Sequence, residues 1–532
     1  MVTTDIPAEA DAERNASWSP ARIACSVVTG VVVLVAALVV VPSEWHFALY
    51  PQDEGLLLVY PWLILHGWQP NRSFESVYGV VNLWVLGGAF KIGGASVDVE
   101  RTVGLVYRLI VVGSLTTLGL RRRGPVAGLC AGLVSVVMLS GTIGLAAFAW
   151  LAGLAFAALG LLLVDLGLAG TLRRWTIGAA GLCFGLMIGC RLDLAIAAGL
   201  AVGIVITLRP RARAPLAVGF VLGLIPLGVN LIQAGLPAVL HQQVLAPIFV
   251  TGPGRRLPLM NSGWQGVAII VLCVVVACAL AVSGWRSVRT DSTRWDGVLL
   301  LVVGCVDLGL IPETLQRVDG SHLALVACWV IPSAMLLPAV RLPWPPAQRP
   351  RNAGINVLPL IVTAIALVLV AQTFARTYRS EIPSRGIPVP VNVVVHDGRS
   401  VPTNSAEQAM QLRSLLAAVD ANTRPGQRLF VGPRDLTTAG YADTYLYYLL
   451  PGLTPATRYL EMDPGVANGK DSVLAQELHG ADVLILNSAY DTFPDADPST
   501  RHGSPIPNQV VAREFRPVAT AGTWTLYVRR SR

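Results

Sequence analysis

Residues 21–55 read ARIACSVVTGVVVLVAALVVVPSEWHFALYPQDEG. The run from about Ala21 to Val41 is apolar and about 20 residues long, which is the length of a helix that crosses a bilayer. It has no small-x-small cleavage site and reads as an uncleaved first span rather than a signal peptide. About a dozen residues beyond its end stand two adjacent carboxylates, Asp53 and Glu54, in the segment Tyr50-Pro51-Gln52-Asp53-Glu54-Gly55. Carboxylates close to a membrane face are costly to desolvate, so their placement there points to chemistry or ion handling.

The rest of the chain has the same membrane character. Charged residues make up 14% of the 532 positions and mean hydropathy is +0.59; soluble proteins carry roughly 25% charged residues. The net charge of +8 comes almost wholly from arginine, since Lys91 and Lys470 are the only lysines. Those arginines are scattered over short connections between apolar runs, which fits membrane topology and not a nucleic-acid surface. The eight cysteines all lie in apolar runs. There they behave as small hydrophobes, so neither a disulfide framework nor a zinc site is expected.

Eleven spans are expected, near 21–41, 103–120, 124–141, 144–168, 175–190, 194–208, 214–232, 264–284, 297–312, 323–340 and 354–373. The even-numbered connections and the N-terminus hold most of the arginines, among them Arg121–Arg123, Arg173, Arg174, Arg209, Arg211, Arg213, Arg286 and Arg289. By the positive-inside rule that face is cytoplasmic. The division that follows is a cytoplasmic tail at 1–20, a transmembrane domain at 21–375 with a first external loop at 42–102, a linker at 376–405, and an extracytoplasmic domain at 406–532. Asp53/Glu54, Arg191/Asp193 and Arg317/Asp319/His322 then converge on the external face, although they were not used to set the topology.

Alternating patterns in the tail suggest a small α/β layer. Helices are expected at 406–419, 443–450 and 472–479, and strands at 428–431 and 481–486. A closing hairpin is expected from 510–519 and 524–528. No Gly-rich phosphate loop is present, so the tail reads as an accessory or acceptor-binding module. In the first external loop, 56–65 and 80–90 are apolar enough to lie in the interface as amphipathic helices. The loop's many aromatics fit a headgroup-level belt, or in part a wall on which a sugar stacks, with Tyr78 and Trp84 as candidates.

Each polar motif has more than one reading. Asp53-Glu54 suits a solvated loop pair, a general base for an acceptor hydroxyl, or ligation of magnesium or manganese. Arg191-Leu192-Asp193 suits a helix-pinning salt bridge, or an anion grip in which Asp193 orients Arg191. In Gln316-Arg317-Val318-Asp319-Gly320-Ser321-His322, an arginine fork matches phosphate oxygens and His322 adds a donor; a plain polar turn is the alternative. Arg108 enters the second span, and an arginine at membrane depth is a functional candidate by default.

The sequence resembles the GT-C class of integral-membrane glycosyltransferases, which includes protein O-mannosyltransferases, the aminoarabinose transferase of lipid A and mycobacterial envelope arabinosyl- and mannosyltransferases. The residues that carry the resemblance are Pro51-Gln-Asp-Glu-Gly55, Gly67-x-x-Pro70, Phe74, Tyr78-Gly79, Trp84 and Phe90-Lys91, with support from Gly185–Asp193 and Gln316–His322. It covers about 20–375. The resemblance implies a polytopic α-helical membrane protein, GT-C-like; the C-terminal extracytoplasmic α/β domain is read from the tail's own pattern and the arginine count. It also implies an inverting transferase that takes a pentose or hexose from a polyprenyl-phosphate donor to a glycan, lipid or protein of the cell envelope. Carried onto this chain, Asp53 is the base with Glu54 assisting. Read from the residues themselves, Arg191, Arg317, His322 and Arg108 are the candidates for binding the donor phosphate, Asp193 and Asp319 for orienting them, and Tyr78 and Trp84 for contacting sugar. A divalent cation, magnesium or manganese, is a possible cofactor. The competing functions are a transporter or flippase of a lipid-linked sugar, and a non-catalytic envelope scaffold.

Overall fold

The computed structural model describes residues 20–140, 144–168, 173–290, 295–338, 357, 359–369, 392–438, 440–491 and 503–531. The N-terminal tail and the first part of the expected linker lie outside them. Long apolar runs without internal breaks become helices: α1 (Pro20–Val39), α2 (Asp53–Leu65), α3 (Val80–Gly93), α4 (Val97–Arg123), α5 (Pro125–Leu139), α6 (Ala149–Leu168), α7 (Arg173–Cys190), α8 (Ala195–Leu208), α9 (Arg213–Gly223), α10 (Gly263–Thr290), α11 (Trp295–Gln316) and α12 (Gly320–Ser333). Among the described residues, five helices are long and apolar enough to cross a membrane: 97–123, 149–168, 210–234, 263–290 and 295–316. The other expected spans coincide with shorter apolar helices, including Ile23–Val39, Pro125–Leu139 and Pro359–Leu369.

Between helices, small residues replace the driving force that water would otherwise supply. Helix α7 packs on α9 through glycines. A Cβ on Gly219 would stand 1.8 Å from the Gly178 carbonyl oxygen, and one on Gly223 would stand 2.3 Å from that of Leu182. Gly219→Leu is expected to separate these helices and cost about 1–3 kcal/mol or more through overpacking. A lower thermal midpoint of the detergent-solubilised chain is the readout, and an unchanged midpoint refutes the contact. Two polar side chains inside the bundle are well matched. Asp307 accepts from Trp329 Nε1 at 2.7 Å and from Ser333 Oγ at 2.6 Å. Asn82 donates to the Ala147 carbonyl at 2.8 Å and accepts from Tyr107 at 3.0 Å.

The tail is a mixed sheet with helices. Strands β1 (Asn392–His396) and β2 (Arg399–Thr403) form an antiparallel hairpin, so the later part of the expected linker is structured. The main sheet contains β3 (Arg428–Pro433), β4 (Thr454–Pro455), β5 (Val483–Asn487), β6 (Phe515–Ala521) and β7 (Trp524–Arg529), in the order β4-β3-β5-β7-β6. The fully buried run Leu429–Val431 pairs in parallel with Val483–Ile485. The expected closing hairpin is present as β6–β7, turning at Gly522, whose φ of 59° is the left-handed region that glycine enters freely. Its first arm is shorter than expected. Residues 506–514 are helix, because Pro507 pre-sets the first turn and Val510 and Val511 bury one face.

One expectation about the first loop is corrected. Helices α2 and α3 are not interfacial. Helix α2 is apolar around its circumference and buries 54–61 and Leu63, which is the pattern of a core helix rather than a surface one. Leu56, Leu58, Tyr60, Phe74, Leu83 and Phe90 share one hydrophobic core with Leu412, Leu429, Tyr445–Leu450, Val483 and Trp524 of the tail. The first loop and the tail therefore fold as one body, capping one end of the helix bundle.

Candidate active site

Asp53 and Glu54 form the first turn of α2, where the helix dipole favours negative charge. Successive helical residues point about 100° apart, and the two carboxylates have different surroundings. Glu54 is buried and faces Arg101 of α4, with Nε–Oε1 at 2.7 Å and Nη2–Oε2 at 3.0 Å. The remaining guanidinium nitrogen of Arg101 donates to the carbonyls of Trp45 and Phe47. Both oxygens of Glu54 are thus engaged in a buried fork that ties the chain between α1 and α2 to the bundle. That placement differs from the assisting role expected for Glu54. It also leaves Glu54 unable to share a metal ion with Asp53. Among the described residues, no three His, Cys, Asp or Glu side chains are grouped as a cation site.

Asp53 is the opposite case. It is half-buried, and its carboxylate makes no hydrogen bond or salt bridge among the described residues. Burial raises its pKa above the ordinary carboxylate value, while Arg255, His322 and Arg317 pull the other way. The Tyr441 phenol, in turn, is pushed up chiefly by the Asp53 charge. A free carboxylate with two guanidinium groups and an imidazole around it is an unusual arrangement to leave unpaired.

Those cations come from different parts of the fold. Arg317 lies on the short turn between α11 and α12, and His322 in the first turn of α12. Asp319 organises both: Arg317 Nε reaches Asp319 Oδ2 at 2.8 Å, and His322 Nδ1 reaches Oδ1 at 2.8 Å. Asp319 also caps α12 by accepting from the His322 backbone N–H at 3.0 Å. Burial opposes ionisation of Asp319, but the hydrogen bonds from His322 and Arg317 outweigh it and hold its carboxyl well below the usual range.

Arg255 ends a short helix, Gly252–Arg255, that follows the π-helical segment His241–Thr251. Its Nη2 is 2.6 Å from Asp463 Oδ1, its Nη1 is 3.8 Å from Glu461 Oε1, and its plane lies 5.9 Å from the Tyr441 ring centroid. Three of its neighbours therefore belong to the tail.

The tail segment is pinned directly beside the acid pair. Gln52 Oε1 accepts from the backbone N–H of Ala442 at 2.9 Å and of Met462 at 3.4 Å. Tyr445 N–H donates to the Pro51 carbonyl at 3.3 Å. Gly55 makes this approach possible, since a Cβ there would stand 2.6 Å from Tyr445 N.

Arg191 forms another wall. It pairs with Asp193 at 2.5 Å and with Glu313 at 3.2 Å, and lies 5.1 Å over the Trp150 ring. It acts on the phenol of Tyr78 and on Glu461. The loop carrying Tyr78 rests on the turn before Arg191, with Gly79 N–H donating to the Cys190 carbonyl at 2.9 Å. A Cβ on Gly79 would stand 2.2 Å from the Gly189 oxygen. Tyr78 is itself held well above the ordinary phenol range by burial, then by the charges of Glu461 and Asp53.

Two sequence candidates lie elsewhere. Arg108 is buried on Glu44, Nη1–Oε2 2.6 Å, with the Leu139 carbonyl at 3.3 Å. This is an ion pair buried in the bundle, and it leaves Arg108 outside the group around Asp53. Trp84 lies partway along α3, and no hydrogen bond or ring contact joins it to the site among the described residues. Conversely, Arg255, Tyr441, Glu461, Asp463 and Gln52 were not singled out in the sequence. The available signal was the Arg255-Arg256 pair in a connection otherwise poor in arginine, and a Glu-x-Asp within the apolar stretch Tyr459–Asp463.

No protein-family model and no curated protein matches the chain. Solved structures do. The chain is similar to the crystal structure of ArnT from Cupriavidus metallidurans bound to undecaprenyl phosphate, with TM-score 0.54 and 12% identity, over 94% of this chain and 98% of that one. It is equally similar to the apo structure of the same protein, with TM-score 0.54 and 12% identity over 93% and 97%. The fold, helix bundle and tail together, is ArnT-like.

Proposed function

We propose that the protein is an inverting membrane glycosyltransferase that moves a pentose or hexose from a polyprenyl-phosphate donor to a hydroxyl of a glycan, lipid or protein acceptor of the cell envelope. The observation that carries this reading is the unpaired Asp53 carboxylate facing Arg255, Arg317 and His322. Asp53 takes the proton of the acceptor hydroxyl as its oxygen attacks the anomeric carbon. The bond from that carbon to the phosphate oxygen breaks on the opposite face, so the configuration inverts. The departing phosphate gains negative charge, and fixed guanidinium groups stabilise it as it forms. Arg317 and His322, held rigid by Asp319, suit that role. Arg191 acts on Tyr78 and Glu461 and adds a further positive charge. The ArnT-like fold supports the reading, as does that neighbour's complex with undecaprenyl phosphate. In this reading the tail and Asp53 lie outside the plasma membrane and the N-terminus is cytoplasmic.

The direct test is reconstitution of the full chain in liposomes with undecaprenyl-phosphate-linked mannose or arabinose and a crude envelope acceptor. Release of undecaprenyl phosphate with an inverted linkage in the product is expected. Movement of intact donor across the bilayer without cleavage overturns the proposal. The acid limb of kcat/KM should lie above the ordinary Asp pKa of about 3.9, because burial raises Asp53. Arg255 opposes that rise, so Arg255→Gln is expected to move the limb further towards neutral pH. A limb that stays fixed in this variant separates Arg255 from Asp53.

A further inference from the structure

Glu461 reaches the site from the tail, and its contact with Arg255 leaves one carboxyl oxygen unsatisfied. It is 7% exposed, and its Oε2 has no hydrogen bond among the described residues. Its Oε1 is 3.8 Å from Arg255, which is already committed to Asp463 at 2.6 Å. A buried carboxyl oxygen left without a hydrogen bond is destabilising. Its position is fixed, because the next residue, Met462, donates to Gln52, the neighbour of Asp53. The groups that act on it are Asp463, Arg255, Asp53 and Arg191, and it acts in turn on the phenols of Tyr60 and Tyr78. Glu461 thus faces the same space as the free Asp53 carboxylate.

We propose that Glu461 is a specificity-determining residue, whose Oε2 hydrogen-bonds a ring hydroxyl of the sugar held beside Asp53. This rests on the transferase reading above. A phosphate is unsuited to the position, since Asp463 and Asp53 repel it. A metal ion is unsuited too, because Arg255 holds the neighbouring carboxylate. A hydroxyl fits, because it both donates and accepts and so satisfies a buried carboxyl in either protonation state. Burial, reinforced by the Asp463 charge, does hold the Glu461 pKa well above the usual range, so this freedom matters. The tail is then part of the sugar pocket rather than an accessory to it. The hydroxyl belongs either to the donor sugar or to an acceptor sugar, and binding measurements separate the two.

The test uses the full chain in nanodiscs and two sets of probes. The first set is citronellyl phosphate, bare or carrying mannose or arabinofuranose. The second is methyl mannoside and methyl arabinofuranoside, added to protein saturated with citronellyl phosphate. Glu461→Ala is expected to weaken the tighter glycosylated lipid about tenfold or more, as loss of a hydrogen bond to a charged or buried group does, and to leave bare citronellyl phosphate unchanged. Glu461→Gln, which keeps an acceptor and a donor, should recover most of the loss. Loss confined to the methyl glycosides supports the proposal with the acceptor as the source of the hydroxyl. Equal loss for bare and glycosylated lipid overturns it, because Glu461 would then act on the phosphate through Arg255. Unchanged binding in both sets also overturns it while leaving the transferase reading intact. Failure of the wild-type chain to bind any phospholipid probe defeats the transferase reading itself.

Discussion

Asp53→Asn is expected to lower glycosyl transfer by about 10²–10⁴-fold, the range that a positioned general base contributes. The substitution keeps the side chain's shape and removes only its ability to take a proton. It should leave folding nearly untouched, since the carboxylate makes no hydrogen bond or salt bridge among the described residues and is partly open to solvent. Donor binding should persist or tighten slightly, because a negative charge is removed from beside the phosphate. The measurement is a turnover assay paired with donor affinity and thermal midpoint on the same preparation. Full turnover in this variant removes the base from the mechanism. Lost turnover together with a lost fold means that Asp53 has been misassigned as a free group.

Glu54→Ala, one residue along, is expected to do the reverse. It strands Arg101, which is 2% exposed and whose other hydrogen bonds among the described residues go to backbone oxygens. Breaking a buried ion pair from one side costs about 3–5 kcal/mol. Arg101→Ala should cost a similar amount, and the double substitution should cost less than the sum of the two, because the partners share one interaction. Thermal midpoints in detergent are the readout, and any surviving folded fraction should retain catalysis. If Glu54→Ala folds normally and loses only turnover, the structural assignment is wrong and the two acids act together.

Much of the architecture was legible from the sequence. Uninterrupted apolar runs with arginines between them placed the helices, and the buried runs Leu429–Val431 and Val483–Leu486 placed the central strands of the tail. Counting connections grouped Arg317 and His322 with Asp53, and in the fold both act on the Asp53 carboxyl. Three things were not legible. Adjacent acids look alike in a sequence, and only the register of α4 decides that Arg101 meets Glu54 and not Asp53. Arg108 met the rule for a functional intramembrane charge, but its partner Glu44 lies 64 positions away. The tail's part in the site was hidden because its recognition rests on backbone N–H groups of Ala442 and Met462, which every sequence offers. The apolar character of α2 was plain, but apolarity alone does not say whether lipid or protein covers it.

The pin at Gln52 joins positions 410 residues apart. Contacts of such long range form late, because a long intervening chain must be ordered before they are rewarded. The protein should therefore be inert throughout its biogenesis and become competent in one step, when its final third settles. A prematurely terminated product, even one with every bundle helix in place, would lack the roof over its reaction centre. It would also leave α2 and α3 without the core that they share with the tail, so nonsense alleles near residue 440 should show simple loss of function.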